Sequence, residues 1–174
     1  MKKLLLVVDY QNDFVVGSLG FPRASSIEEH IVHLVETYHQ NKDTVVFTLD
    51  THGKDYLSTR EGRNLPVPHC LKGEEGHALF GRLKELAKQD LCIEKKTFGS
   101  SLLGEYLSKN PFDEIVIVGV VTSMCVLANA VVAKTYCPEA RIVIDARGCA
   151  DFSVEMEEKT IAILRNLQME VEGA

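Results

Sequence analysis

The stretch Asp113-Glu-Ile-Val-Ile-Val-Gly-Val-Val-Thr-Ser-Met-Cys125-Val-Leu-Ala-Asn-Ala-Val-Val-Ala133 contains a predicted strand, a turn and a helix in immediate succession. Its apolar run at 115–118 is rich in β-branched residues, which is typical of a buried strand. A glycine ends the run, and Thr122 and Ser123 are residue types that cap helix N-termini. The apolar residues that follow are too densely spaced for an exposed helix, so the helix is predicted to be largely buried.

Cys125 falls in the first turn of this predicted helix. Free backbone N–H groups and the positive end of the helix dipole lie there, and that environment lowers the pKa of a thiol and favours the reactive thiolate. Free cysteine is also among the most buried residue types, so a place in the core is the alternative. This stretch alone favours a core role for Cys125 over a reactive one, so evidence for a reactive thiol has to come from the rest of the chain.

The composition is that of a soluble globular protein. The chain has 174 residues, 45% of them hydrophobic and 25% charged, which suits one domain spanning residues 1–174. The formal net charge of −6 and the lack of a basic run argue against binding to nucleic acid or to an acidic membrane. No apolar stretch is long enough to cross a bilayer, and Asp9 interrupts the apolar start too early for a signal peptide.

Cysteine usage predicts a reducing compartment. The cysteines are an odd number at irregular spacing, which fits neither a disulfide framework nor a paired zinc motif. We therefore expect a cytoplasmic protein. The five are Cys70, Cys92, Cys125, Cys137 and Cys149.

Apolar runs alternate with amphipathic stretches along the chain. Strands are predicted at 4–8, 44–49, 90–94, 115–118 and 141–144, and helices from a capping box at 25–29 and at 75–88, 101–109 and 154–167. This alternation predicts an α/β fold, a three-layer α/β/α sandwich with a mainly parallel sheet of about six strands. Right-handed crossovers would place the carboxyl ends of the strands on one edge, where such proteins bind ligands.

Ionisable side chains follow the predicted strands. Asp9 opens a polar loop after the first strand and is a candidate acid or base. Turn formation is its alternative role, because Asp and Asn bond their own backbone in turns. Lys95 and Lys96 end another strand, and a lysine there is either a solvated charge or the cation that stabilises a nearby thiolate.

A possible metal-binding set follows the second strand. Asp50 and His52 occupy alternate positions, so their side chains share one face of an extended segment. With His69, which follows a long irregular stretch, they would form a set of two imidazoles and one carboxylate, a familiar arrangement for a catalytic divalent metal. Cys70 is the competing ligand, although an extended backbone would point it away from His69. Spacing alone favours exposed polar side chains without a metal over a metal site.

These side chains are far apart in the sequence and would meet only at the edge of such a sheet. That convergence favours an enzyme. No glycine-rich phosphate loop follows the first strand, so chemistry on dinucleotides or nucleoside triphosphates is not expected. The alternative of another class is a non-catalytic α/β binding module in which Cys125 is merely buried.

Five motifs together resemble the isochorismatase-like cysteine hydrolases, a family that includes the nicotinamidases, and the resemblance covers nearly the whole chain. The motifs are Val-Val-Asp9-Tyr-Gln-Asn-Asp-Phe, Asp50-Thr-His52, Pro68-His69-Cys70, Lys95-Lys-Thr-Phe-Gly-Ser and Gly119-Val-Val-Thr-Ser-Met-Cys125-Val. The resemblance implies a Cys-Asp-Lys triad. Cys125 would be the nucleophile, Asp9 would take the thiol proton and return one to the leaving amine, and Lys95 would stabilise the thiolate. Lys96 is the alternative to Lys95.

The family resemblance further implies a cis peptide bond between Val120 and Val121. The N–H groups of Val121 and Cys125 would then form an oxyanion hole. Phe14 is expected either to line the substrate pocket or to pack in the core, the more common place for a phenylalanine.

The metal motif resembles that of the nicotinamidases, in which a zinc-type ion binds the pyridine nitrogen of the substrate. It implies a divalent metal on Asp50, His52 and His69, with zinc expected and iron or manganese as alternatives. Some nicotinamidases carry a further histidine where this chain has Leu57-Ser58-Thr59, which leaves the ligand count open.

The expected reaction is hydrolysis of nicotinamide, a small-molecule amide, to nicotinate and ammonia through a thioester. Carbamoyl amides and isochorismate-type substrates are the alternatives within the family, and a homo-oligomer is expected because members of the family often associate.

Overall fold

Six parallel strands form one sheet in the computed structural model, which describes residues 1–174. The order across the sheet is β3-β2-β1-β4-β5-β6, and every neighbouring pair is parallel. This arrangement confirms the predicted α/β fold. The strands are β1 (Lys3–Val8), β2 (Thr44–Asp50), β3 (Leu91–Lys95), β4 (Glu114–Val120), β5 (Arg141–Ala150) and β6 (Glu170–Glu172).

Helices cover both faces of the sheet. They are α1 (Asn12–Val15), α2 (Pro22–Ser26), α3 (Glu28–Asn41), α4 (Arg60–Asn64), α5 (Leu83–Leu86), α6 (Ser101–Lys109), α7 (Leu127–Tyr136) and α8 (Val154–Asn166). A π-helical turn, Thr122–Val126, lies between β4 and α7. None of the helices has both the length and the apolar character needed to cross a membrane.

The core consists of two hydrophobic clusters, one on each face of the sheet. Successive residues of the central strand β1 alternate between them, because side chains on a strand point to opposite faces. Leu4 and Leu6 belong to the cluster under α6, α7 and α8, whereas Leu5 and Val7 belong to the cluster under α2 and α3. Burial on both faces explains why β1 and β4 read as continuous apolar runs rather than as alternating patterns.

Two predicted helix features are wrong. The segment 75–88 is not one helix but two 3₁₀ turns around the single-turn helix α5, because Gly81 adopts a positive φ of 54° and Leu79 bridges Gln11 in an antiparallel contact. The capping box at 25–29 does not form. Ser25 donates its hydroxyl hydrogen bond to the Pro22 carbonyl within α2, and α3 begins after Ile27 without a side-chain cap.

Strand β5 is longer than predicted because its pairing with β4 is interrupted and then resumes. Ile117 pairs with Ile144, and Gly119 then pairs with Cys149, so four residues of β5 bulge opposite a single residue of β4. Asp145 directly follows the predicted strand 141–144 and begins this bulge, and its carboxylate lies 2.7 Å from His30. The short edge strand β6 was not predicted.

Candidate active site

Four neighbouring strands, in the order β3-β2-β1-β4, end at one edge of the sheet. Lys95 is the last residue of β3, Asp50 is the last residue of β2, and Asp9 directly follows β1. The turn that contains Cys125 follows β4. Parallel pairing therefore brings together residues that are up to 116 positions apart, from Asp9 to Cys125.

Asp9 is completely buried and has a positive φ of 48°. Its Oδ1 accepts a 2.6 Å hydrogen bond from the Thr48 hydroxyl. Its Oδ2 lies 2.6 Å from Lys95 Nζ and has no other hydrogen-bond partner. Burial raises the pKa of Asp9 while the Lys95 ammonium opposes that rise. One carboxylate oxygen is thus committed to Thr48, and the other, whose only partner is the Lys95 ammonium, is the one available to accept a proton.

Lys95 is the cation at the centre of the site, whereas Lys96 is exposed. Besides Asp9, its Nζ contacts the Thr97 carbonyl at 2.9 Å, Asp50 Oδ1 at 3.4 Å and Cys125 Sγ at 3.5 Å. Burial alone would lower the pKa of Lys95, but the Asp9 carboxylate raises it above its ordinary value. The side chain is therefore a buried, permanently charged ammonium next to a thiol.

Cys125 is buried with 7% of its surface exposed, and it lies in the π-helical turn rather than in an α-helix. The expectation that this position lowers the pKa of its thiol is wrong. Burial raises the pKa well above its ordinary value, the Asp9 carboxylate adds to the rise, and Lys95 opposes it. Burial and the Asp9 charge therefore outweigh the Lys95 charge, and the thiol keeps its proton until a base removes it.

The Val120–Val121 peptide bond is cis, as the family resemblance implied. It follows Gly119, which has a φ of 123° and lies so close to β1 that a Cβ there would come within 2.1 Å of the Val8 carbonyl oxygen. Val121 and Cys125 both line the same cavity. The two backbone positions expected to form an oxyanion hole thus face one site.

Asp50, His52 and His69 form a buried cluster, and Glu61 joins it. The potential ligand atoms of the four side chains all lie within 4.8 Å of one another. Asp50 Oδ2 is 3.0 Å from His52 Nε2 and 3.3 Å from His69 Nε2. Burial alone would raise the pKa of Asp50, but hydrogen bonds from the two histidines lower it, so the carboxylate remains ionised.

Glu61 was missed by the sequence analysis. Its Oε1 is 3.7 Å from His52 Nε2 and 3.8 Å from His69 Nε2. The side chain reaches the cluster from α4, a short helix within a stretch that was predicted to be irregular, and Thr59 caps this helix by accepting the Gly62 N–H. The usable signal was an acidic residue two positions after Leu57-Ser58-Thr59, the region where a further ligand was sought.

The donor set fits a divalent metal. His69 Nδ1 lies 2.8 Å from the Val67 carbonyl, which can only accept a hydrogen bond, so Nδ1 carries the hydrogen and Nε2 is left facing the cluster. Two imidazoles and two carboxylates suit zinc, iron or manganese. Cys70 does not compete, because it has a positive φ of 46° and lies in the hydrophobic core.

Gln11 holds the backbone of Asp50 and was given no role from the sequence. Its Oε1 accepts the Asp50 N–H at 2.7 Å, and its Nε2 donates to the Asp50 carbonyl at 2.9 Å. The Nε2 group also donates to the His77 carbonyl at 2.8 Å. A fully buried side-chain amide thus fixes the residue that lies between Lys95 and the two histidines.

A cavity of about 1180 Å³ opens over these groups. Cys125 and all four potential metal ligands contribute to its wall. Phe14 lines it as well and packs against the His69 ring at a centroid distance of 5.6 Å, so both expectations for Phe14 hold: it is buried and it faces the pocket.

Residues 3–173 match the family model described as the isochorismatase domain. The chain belongs to the isochorismatase family. Among its relatives in this family, the "uncharacterized isochorismatase family protein PncA" of Bacillus subtilis is 35% identical over 168 residues, covering 89% of this chain and 90% of the relative. The nicotinamidase of Saccharomyces cerevisiae is 26% identical over 187 residues, covering 82% and 86% of the two chains.

A crystal structure of nicotinamidase/pyrazinamidase PncA from Bacillus subtilis has the same fold as this isochorismatase-family chain. The TM-score is 0.89 with 33% sequence identity, covering 98% of this chain and 99% of the other.

Proposed function

We propose that this protein is a nicotinamidase, a hydrolase that converts nicotinamide and water to nicotinate and ammonia. The observation that carries the proposal is one buried ammonium, Lys95 Nζ, in contact with both the Asp9 carboxylate and Cys125 Sγ. These groups lie beside a cavity that also contains a four-residue donor set for a metal. The names of the yeast relative and of the Bacillus subtilis structure support an amide substrate.

In the proposed mechanism, Asp9 Oδ2 takes the proton of the Cys125 thiol as sulfur attacks the amide carbon. A C–S bond forms and the carbonyl oxygen becomes an oxyanion, which the N–H groups of Val121 and Cys125 stabilise. Lys95 offsets the negative charge that leaves Asp9 and develops on sulfur. Collapse breaks the C–N bond, and the proton held by Asp9 goes to the departing nitrogen, which leaves as ammonia.

The second half of the reaction hydrolyses the thioester. Asp9, now ionised, takes a proton from a water molecule as its oxygen attacks the acyl carbon. The C–S bond breaks, the sulfur of Cys125 recovers the proton from Asp9, and the acid product loses its remaining proton to solvent and leaves as nicotinate. One carboxylate thus acts as base and acid in both halves, which requires a buried group that can hold a proton near neutral pH.

Asp50, His52, Glu61 and His69 would hold a divalent metal, with zinc proposed and iron or manganese as alternatives. When bound, the metal would supply a coordination position for the pyridine nitrogen. His52 and His69 would bind the metal through their Nε2 atoms, which lie 3.0 Å and 3.3 Å from Asp50 Oδ2, and Phe14 packs on the His69 ring. This arrangement selects an aromatic amide with a ring nitrogen over a simple aliphatic amide.

We also propose a cytoplasmic enzyme that returns nicotinate to NAD salvage. All five cysteines are free thiols, which suits a reducing compartment.

The test is ammonia release from nicotinamide by the purified protein and by Cys125→Ala. We expect turnover by the wild type and a loss of kcat of at least about a thousandfold in the variant, because the nucleophile is removed. Cys92→Ser is the matched control, since Cys92 is an exposed thiol away from the cavity. Turnover that survives Cys125→Ala would contradict the mechanism. Turnover of a carbamoyl amide but not of nicotinamide would contradict the substrate.

A further inference from the structure

Asn129 is a completely buried amide whose side-chain hydrogen bonds all go to the two segments that carry Lys95 and Cys125. It lies near the start of α7, four residues after Cys125. Its Nδ2 donates to the Cys125 carbonyl at 2.8 Å and to the Phe98 carbonyl at 2.9 Å. Its Oδ1 accepts the Ser100 N–H at 3.1 Å. Asn129 does not line the cavity, so it cannot touch a substrate there.

The partners determine the orientation of this amide. Two backbone carbonyls can only accept, and they therefore require the NH₂ end, which supplies two hydrogens. The Ser100 N–H can only donate and requires the oxygen end. A flipped amide would set its oxygen against two carbonyl oxygens in a buried site, at the cost of leaving several polar groups unsatisfied. The side chain thus acts as a three-way connector with a single arrangement.

The loop that Asn129 holds is the one that fixes Lys95. The Lys95 ammonium donates to the Thr97 carbonyl at 2.9 Å, and the next residue, Phe98, is bonded to Asn129. At its far end the loop is anchored by Ser100, whose hydroxyl accepts the Leu103 N–H and caps α6. Asn129 also donates a hydrogen bond to the backbone carbonyl of Cys125. The Asn129 amide therefore links the loop that holds the Lys95 ammonium to the backbone of Cys125.

We propose that Asn129 is a positioning residue that sets the separation between Lys95 Nζ and Cys125 Sγ, which is 3.5 Å in the structure. The inference rests on the proposed function, since it assigns Asn129 to the machinery of that reaction. Coulomb attraction between an ammonium and a developing thiolate depends on their distance, and a buried pair is little screened. A loop released from Asn129 would let the ammonium drift towards Asp9, Asp50 or solvent.

Asn129→Ala removes all three bonds, and Asn129→Thr separates them. Helical threonines in this chain donate to the carbonyl four residues earlier, as Thr37, Thr135 and Thr160 do at 2.7 Å each. The hydroxyl in Asn129→Thr would therefore keep the bond to the Cys125 carbonyl and lose both bonds to the 98–100 loop. This variant tests the link that Asn129 makes between Cys125 and the 98–100 loop, while it preserves the start of α7.

Both variants should lower kcat for nicotinamide by about 10- to 100-fold, because small misplacements of reacting groups have effects of that size. The KM should stay within about twofold of the wild-type value and the bound metal should be unchanged, since the ligand cluster does not contact Asn129. Alkylation of Cys125 by iodoacetamide near neutral pH, followed by peptide mass spectrometry, should slow by a similar factor. A merely loosened protein would expose the buried thiol and react faster.

Asn110→Ala is the matched control. Its amide also donates to a carbonyl four residues earlier, that of Tyr106 at 2.9 Å, but it lies at the far end of α6. It should leave kcat and the alkylation of Cys125 unchanged. Labelling of the exposed Cys92 in the same samples corrects for differences in reagent.

A folded Asn129→Thr variant with kcat and Cys125 alkylation within about twofold of the wild type would overturn the inference. A change confined to KM would overturn it too, because Asn129 would then act on substrate binding. Asn129→Thr decides the matter if Asn129→Ala does not fold. If the wild type fails to hydrolyse nicotinamide, the proposed function is wrong. The alkylation rates still test whether Asn129 positions Lys95 next to Cys125, because alkylation needs no substrate.

Discussion

Cys125 keeps its proton in the resting protein because its surroundings are poor at solvating a thiolate. Burial and the neighbouring Asp9 carboxylate raise the pKa of the thiol, and a single ammonium at 3.5 Å opposes them. In the proposed mechanism this is an advantage. A neutral thiol reacts slowly with stray electrophiles, and it becomes a strong nucleophile when Asp9 accepts its proton and a substrate carbonyl accepts the negative charge.

Glu61 is the donor that the primary structure did not reveal. Its Oε1 lies nearly equidistant from the Nε2 atoms of His52 and His69, at 3.7 Å and 3.8 Å. Unlike its partners it is only half-buried, and like them it lines the cavity.

Glu61→Gln should weaken zinc binding by at least about tenfold, because an anionic ligand is replaced by a neutral amide. The measurement is competition with a zinc chelator, monitored by metal content after dialysis. Glu74→Gln is the control, since Glu74 is an exposed acid outside the cluster and should leave the affinity unchanged. Equal zinc affinities for Glu61→Gln and the wild type would remove Glu61 from the ligand set.

The end of β4 is the element that couples the sheet to the site. Gly119 pairs with Val8 of β1 on one side and with Cys149 of β5 on the other, and its φ of 123° turns the chain towards the Val120–Val121 bond. The Cβ of any other residue would come within 2.1 Å of the Val8 carbonyl oxygen and 2.7 Å of the Val8 nitrogen. Both obstacles are backbone atoms of a central strand, so neither can move aside cheaply.

Gly119→Ala should therefore destabilise the protein by more than about 3 kcal/mol, which combines backbone strain with a clash. Gly73→Ala is the matched control. Gly73 also has a positive φ, of 89°, but a Cβ there meets nothing within 4 Å, so only the backbone cost of about 1–2 kcal/mol applies. Urea unfolding of both variants measures the difference. Similar losses for the two would contradict the close approach of β4 to β1.

At the scale of the whole molecule, the proposed catalytic groups and the ion pairs of Glu114 lie at opposite ends of the sheet. The site lies at the carboxyl ends of the strands. At their amino ends, Glu114 on β4 is paired with Lys3 of β1 at 2.9 Å and with Arg141 of β5 at 2.6 Å. The hydrogen bond from Lys3, followed by that from Arg141, holds the pKa of Glu114 below its ordinary value of 4.5.

Glu114 thus links folding stability to pH. A carboxyl group whose pKa is lower in the folded chain binds protons more readily when unfolded. The contribution of Glu114 to the free energy of unfolding is therefore complete above its unfolded pKa of 4.5. It is lost as the pH falls through the lower pKa of the folded chain.

Glu114→Gln should be less stable than the wild type near neutral pH, and the difference should shrink as the pH falls from about 5 to about 3. Thermal unfolding across that range measures it. Glu105→Gln, at an exposed acid on α6, is expected to follow the wild-type curve. Parallel curves for Glu114→Gln and the wild type down to the lowest pH would show that this carboxyl is not linked to folding.

Much of this architecture was accessible without coordinates. β-Branched apolar runs specify buried strands because both faces of a parallel sheet are covered, and their alternation with helices leaves few topologies open. The positions of Asp9, Asp50, Lys95 and Cys125 at strand ends followed from that topology. The helix at 75–88 failed for a local reason, since a glycine at positive φ and a bridge between Leu79 and Gln11 outweighed an apolar stripe of helical spacing.

Other features could be found only in the folded chain, because they depend on distances and burial in three dimensions rather than on the order of residues in the sequence. Lys95 rather than Lys96 contacts the thiol, since adjacent strand residues point to opposite faces and only one can face Asp9. Glu61 on α4 meets His52 and His69, and Asn129 on α7 meets the 98–100 loop, only in the folded chain, and no periodicity in the sequence encodes either contact. The raised pKa of Cys125 reflects desolvation, which is a property of everything packed around the sulfur and not of the residues next to it in the chain.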